Sequence, residues 1–75
     1  MKQKMPLTMV RPGQKVKLLA VNAGRGLKSR LASMGLVPGV ELVVMNSAFA
    51  GPLLVSVKDS RIMLGRGLAQ KIMVR

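Results

Sequence analysis

The chain has 75 residues, of which 13 are Lys or Arg and only two, Glu41 and Asp59, are acidic, so its formal net charge is +11. Without Cys there is no disulfide framework, thiolate zinc site or thiol nucleophile, and without His the commonest general base and metal ligand is missing. We therefore expect a binding or regulatory module with no catalytic, cofactor or metal site.

The length allows one small domain, which we assign to residues 1–75 with a flexible N-terminus at residues 1–6. The longest apolar runs, residues 18–21 and 42–45, are far shorter than the roughly 20 residues that span a bilayer. The first six residues carry charge but precede no apolar stretch typical of a secretory signal. We therefore expect a cytoplasmic protein.

The first predicted strand follows a Pro-Gly turn. Pro12 and Gly13 form a dipeptide typical of turns, and residues 15–22 after it alternate apolar positions with a period of two. This period predicts a strand. Its inner face holds Val16, Leu18 and Ala20.

A short helix is predicted over residues 27–34, because Leu27, Leu31 and Met34 fall on one helical stripe. We expect Leu31 and Met34 to close the open end of a barrel, whereas Leu27, at the helix start, is as easily exposed as buried. Gly35 is expected to end the helix in a left-handed conformation.

Four more period-two segments predict strands at residues 40–46, 53–58, 61–64 and 71–75. A second turn, Pro38-Gly39, precedes the first of them, and Asp59-Ser60 is expected to form the hairpin turn between the second and third. Residues 65–70 are expected to add one helical turn before the last strand.

Five short strands and one short helix in 75 residues predict an all-β fold, a small five-stranded SH3-like barrel. A closed sheet hides the edges that a flat sheet of this size would expose. An OB-like barrel is the second choice.

The block Arg30-Leu31, Met34-Gly35-Leu36 and Pro38-Gly39 is the most specific motif of the chain. Together with Gly51-Pro52 and the segment at residues 62–74, it resembles the ferrous iron transport protein A (FeoA) family, over nearly the whole chain. The resemblance implies an SH3-like barrel and a small bacterial accessory protein in the cytoplasm. Its implied partner is a membrane ferrous-iron transporter with a GTPase domain, of the FeoB type.

The helix start is the predicted partner-binding site. An exposed Leu27 ringed by Arg25, Lys28 and Arg30 would be an apolar anchor within a charged rim, which suits a protein partner. A second group of residues is expected to act as structural turns: Pro12, Gly13, Gly35, Pro38 and Gly39.

The outward faces of the predicted strands are unusually apolar. Either the strands of so small a barrel bend and bury parts of both faces, or the chain self-associates or docks through this face. The outward set contains Leu19, Val21, Val43, Met45, Leu54, Met63 and Met73.

The high positive charge admits an acidic partner, an anionic membrane surface, RNA, or a solvated basic surface with no dedicated ligand. The alternative function is therefore a basic SH3-like RNA-binding module of the KOW type. Phe49 is the only aromatic residue, whereas platforms for unpaired bases normally use several. Nucleic acid is for this reason the less favoured partner.

Overall fold

The computed structural model describes residues 4–47 and 51–75; Phe49 lies outside the described residues. The chain forms, in order, β1 (Met5–Pro6), a 3-10 turn (Leu7–Met9), β2 (Lys15–Val21), α1 (Arg25–Ser33), β3 (Glu41–Ser47), β4 (Leu53–Val57), β5 (Ser60–Leu64), α2 (Arg66–Ala69) and β6 (Ile72–Val74).

All six strands belong to one antiparallel sheet with the order β1-β6-β2-β3-β4-β5. The first half of β2 pairs with β3 and the second half with β6. The predicted mostly-β fold is confirmed. The predicted number of strands, five, is corrected to six in the described part of the chain, and the predicted closed barrel is corrected to an open sheet. Within the described residues β1 and β5 are the two edges and do not pair with each other, so the sheet surrounds its core without closing.

The sixth strand is β1, which the sequence did not predict because two residues show no period. Met5 pairs with Val74 and Pro6 with Met73. Part of the segment expected to be flexible is thus an edge strand, where Pro is tolerated because its missing N–H can face away from the ladder.

The core lies on the inner face of the sheet and is entirely apolar among the described residues. Most predicted inward residues are buried, namely Val16, Leu18, Leu42, Val44, Leu53, Val55, Val57, Leu64, Ile72 and Val74. Ala20, Val40 and Ile62 are only half-buried.

A register shift in β2 explains one wrong assignment. The pairing of β2 with β6 slips between Leu18 and Ala20. A one-residue slip moves every later side chain to the opposite face. Val21, predicted to point outward, is therefore buried, and Ala20 is half-buried.

Both Pro-Gly pairs form turns of the same kind. Gly13 and Gly39 have φ angles of +88° and +94°. In each turn the amide after the glycine donates to the carbonyl before the proline, at 3.1 Å. Proline followed by glycine with positive φ is the arrangement of a type II turn, which accounts for Pro12 and Pro38 as well.

The hairpin between β4 and β5 turns one residue earlier than predicted. Val57 pairs with Ser60, so the loop consists of Lys58 and Asp59, and Ser60 begins β5. Lys58 supplies the left-handed conformation of the loop, with φ of +54°.

The expected extra helical turn before the last strand is present as α2 (Arg66–Ala69). The 3-10 turn at Leu7–Met9 was not predicted. Across residues 4–47 and 51–75, the chain has no helix with the length and apolar character that a membrane span requires.

Candidate protein-binding site

Helix α1 begins at Arg25, two residues before the predicted start. Gly24 precedes it in an extended conformation, and the Lys28 amide donates to the Gly24 carbonyl at 3.1 Å. No side chain caps the helix, and its first turn contains no acidic residue. Because a helix N-terminus carries partial positive charge, Arg25 and Lys28 there are electrostatically unfavourable.

The end of α1 is a Schellman motif. Gly35 has φ of +90° and its amide donates to the Ala32 carbonyl at 3.0 Å, while the Leu36 amide donates to the Leu31 carbonyl at 2.9 Å. The predicted left-handed end at Gly35 is confirmed. Leu36 is buried after this reversal of the chain.

The three residues of the predicted apolar stripe differ in how exposed they are. Leu31 is buried, as expected, and Leu27 is half-buried and packs against the core. Met34 is 42% exposed, so its predicted role in closing the barrel is wrong. The chain reverses at Gly35, and Leu36 takes the buried position instead.

Arg25, Lys28 and Arg30 are all exposed on α1. At 3.6 residues per turn, Lys28 and Arg30 lie on opposite sides of the buried stripe and Arg25 lies on the outer face. Within the described part of the chain, the side chains of these three residues form no ion pair and no hydrogen bond; the Arg30 carbonyl accepts from the Ser33 hydroxyl at 2.6 Å. The helix therefore presents positive charge on both flanks of its buried stripe and on its outer face.

Two exposed apolar residues beside this helix were missed. Met34 follows Arg30 by one turn, and Val37, next to the reversal at Gly35, is 41% exposed. The signal was present in the sequence, because in a Schellman motif the residue after the glycine packs back on the helix. That rule assigns the buried contact to Leu36 and leaves Met34 outside. The candidate site is thus a basic helix with exposed apolar residues at its C-terminal end.

The outer face of the sheet is less apolar than predicted. Met63 is 62% and Met45 42% exposed, and Met63 lies opposite Leu54 on β4. Four further members of the predicted set are half-buried: Leu19, Val43, Leu54 and Met73. Met9, which was not predicted, is 68% exposed in the 3-10 turn.

The two acidic side chains lie on elements other than α1. Glu41 begins β3 and lies 3.7 Å from the Lys15 ammonium, in an exposed pair beside a concavity of about 300 Å³ that Lys17 and Arg75 also line. Asp59 lies in the hairpin loop. The described residues contain no group of three potential metal-ligating side chains of the His, Cys, Asp or Glu type.

Comparison with known proteins gives a consistent result. The model of the FeoA domain family matches residues 5–75. The chain is 44% identical over 69 residues to a "Putative Fe(2+) transport protein A" of Methanocaldococcus jannaschii, an alignment that covers 92% of this chain and 83% of that protein.

Solved structures show the same fold. A crystal structure of an iron uptake regulatory protein (FeoA) superposes with a TM-score of 0.88 at 35% identity, covering 99% of this chain and 97% of that one. A solution structure of the FeoA protein from Chlorobium tepidum gives 0.86 at 29% identity, covering 95% and 69%. The SH3-like fold of these structures is therefore the fold of this chain, with the sheet open between β1 and β5 in the described part.

Proposed function

The chain belongs to the FeoA domain family, whose members are non-enzymatic accessory proteins of Fe²⁺ transport, and from this premise we propose that it binds a ferrous-iron transporter of the FeoB type. In this proposal it docks in the cytoplasm, on the part of the transporter that carries the GTPase domain. It is held at the inner face of the membrane by its partner.

The observation that carries this proposal is the unbalanced charge of α1. The helix contains Arg25, Lys28 and Arg30 and no acidic residue, and two of these cations lie in its first turn. Like charges three or four residues apart on a helix cost about 0.2–0.5 kcal/mol. An acidic surface of the transporter would remove this cost and gain charge-assisted hydrogen bonds.

The apolar part of the contact shifts from Leu27 to its neighbours. Since Leu27 packs against the core, it supports the helix from behind and does not project as an anchor. Met34, one turn after Arg30, and Val37, two residues after Gly35, are exposed and supply apolar area at the C-terminal end of the basic helix. Methionine adapts its shape to a partner surface at low cost.

Regulation by such a module requires differential binding. A protein that binds two states of the transporter equally well shifts neither of them. We therefore propose that the α1 surface prefers one nucleotide or conformational state of the GTPase domain. Glu41 and Asp59 are the only acidic side chains of the chain, and iron binding by the chain itself forms no part of the proposed mechanism.

The test is iron uptake in cells whose own copy is replaced by a variant with Arg25, Lys28 and Arg30 all changed to Glu. We expect uptake to fall to the level of cells lacking the protein, because the surface would repel an acidic partner. Circular dichroism of the purified variant checks that the domain still folds.

A matched variant changes Arg11, Lys17 and Lys71 to Glu, which alters the net charge equally at exposed positions outside α1. We expect it to support normal uptake. Equal loss in both variants would show that net charge matters and α1 does not. Capture of nuclease-sensitive RNA by the wild-type chain, lost on changing α1, would favour the RNA-binding alternative.

A further inference from the structure

Strand β5 forms one edge of the sheet, and the backbone groups on its outer side have no partner strand among the described residues. It pairs with β4 along its whole length, from Leu53 opposite Leu64 to Val57 opposite Ser60. Across residues 4–47 and 51–75, no strand pairs with its other side. An open edge of five residues is a template for another strand.

The hairpin geometry identifies which backbone groups face outward. In a hairpin with a two-residue loop, the pair that flanks the loop exchanges both of its hydrogen bonds, and the following pairs alternate. Ser60, Ile62 and Leu64 therefore direct their N–H and C=O groups toward β4. Arg61 and Met63 direct theirs toward the open edge.

The same two residues expose their side chains. Met63 is 62% exposed, and Arg61 stands two positions before it on the same outer face. Leu54, opposite Met63 on β4, is half-buried and extends the apolar surface away from the edge. The edge thus presents an apolar side chain, a cation and unpaired backbone groups together.

These features favour one occupant over three others. A second copy of the chain would bring together two molecules of charge +11, and a bilayer cannot supply the carbonyls and amides that the edge lacks. RNA binding normally uses aromatic stacking, which this edge does not offer. An extended peptide with acidic residues satisfies both the backbone and the charge.

We propose that the open edge of β5 binds an extended peptide segment of a protein partner, which carries an apolar residue and, two positions further on, an acidic residue, and which joins the sheet as a seventh strand. In an antiparallel complex an apolar residue lies opposite Met63 and an acidic residue, two positions further on, lies opposite Arg61. This surface is on β5 and is independent of the α1 surface and of the identity of the transporter.

The test uses two short capped peptides titrated into ¹⁵N-labelled protein: the Val-Glu peptide, which carries Val and, two positions further on, Glu, and the Val-Lys peptide, which has Lys in place of that Glu. The Val-Glu peptide is expected to shift the amide signals of Arg61 and Met63 and to slow their hydrogen exchange. The Val-Lys peptide is expected to leave them unchanged. Binding of both peptides alike, or signals that move only in α1, would overturn the proposal.

Two variants separate the backbone from the charge. Met63→Pro removes an outward N–H and is expected to weaken binding of the Val-Glu peptide roughly tenfold, because the loss of one hydrogen bond changes the affinity by about this factor. Arg61→Glu leaves the backbone intact, which keeps the test valid if the proline variant does not fold. It is expected to exchange the preference, so that the Val-Lys peptide binds and the Val-Glu peptide does not.

The matched control is Lys71→Glu, an equal change of charge in the turn before β6. It is expected to keep the preference for the Val-Glu peptide. Loss of binding in this control equal to that in Arg61→Glu would overturn the proposal, because net charge alone would then explain the affinity.

Discussion

Gly35 holds a left-handed backbone conformation that ends α1, with φ of +90°. A Cβ at this position would lie 3.9 Å from Val57 Cγ1, an ordinary contact, so the cost of a larger residue comes from the backbone alone. We expect Gly35→Ala to lower the free energy of unfolding by about 1 kcal/mol, measured by urea denaturation.

Gly67, in α2, is the control for this prediction. Its φ is not positive, and nothing lies within 4 Å of a Cβ added there. Gly67→Ala should be neutral or stabilising by up to about 1 kcal/mol, because alanine favours helix. Equal destabilisation by both substitutions would contradict the special role of Gly35.

Single positions also show where the sequence reading failed. Val21 was placed on the wrong face because alternation cannot reveal a register shift, which arises only when β2 pairs with β6. Met34 was placed in the core because it continues the helical spacing of Leu27 and Leu31. The chain geometry after Gly35 decided that position instead.

Among the elements, helix α1 is attached to the core more firmly through Leu31 than through Leu27. Leu31 is 1% exposed, whereas Leu27 is half-buried. We expect Leu31→Ala to lower the free energy of unfolding by about 3 kcal/mol and Leu27→Ala by about 1 kcal/mol, in urea titrations. A larger effect at Leu27 would show that the start of the helix, not its middle, holds it to the sheet.

The missing cap of α1 leads to a prediction in which stability and binding change in opposite directions. Gly24 has an extended conformation and open space for a side chain. Gly24→Asp supplies a cap beside Arg25 and Lys28, and should raise the free energy of unfolding by about 1 kcal/mol. The same carboxylate should weaken binding to an acidic partner.

Gly24→Ala is the control, since it adds a side chain without an acceptor. It should not stabilise the helix, and it should not weaken binding through charge. If Gly24→Asp stabilises the protein and leaves partner affinity unchanged, the start of α1 lies outside the contact.

The elements themselves were largely readable from the sequence. Five strands and α1 appear within a few residues of their predicted bounds, because period-two alternation and Pro-Gly turns coincide with the real boundaries. Strand β1 and the 3-10 turn escaped prediction, since neither is long enough to show a period. The cations of α1 could be named in advance, but the exposure of Met34 and Val37 depends on how the chain reverses after the helix.

At the scale of the whole molecule, the charge of +11 is a source of self-repulsion. Among the described residues one ion pair, Lys15 with Glu41, offsets it, and both partners are exposed. We expect added sodium chloride to raise the urea midpoint of unfolding, because salt screens this repulsion. Sucrose, an osmolyte without charge, serves for comparison. A urea midpoint that does not depend on salt would mean that the cations are too dispersed to interact.

Self-association through the outer sheet face stays a prediction. The exposed methionines Met45 and Met63 favour it, and the net charge opposes it. Light scattering after size exclusion, at low and high salt, should show a monomer at low salt and any dimer only when the repulsion is screened. A dimer at low salt would show that the apolar contact outweighs the charge.

The proposed contact is that of α1 with the GTPase-bearing part of a ferrous-iron transporter. Its most direct test is calorimetric titration of the purified chain with that isolated domain from the same cell, in each nucleotide state. We expect binding in one nucleotide state, with an affinity that falls as salt is added and is lost when Arg25, Lys28 and Arg30 are changed to Glu. Unchanged affinity in that variant would contradict it.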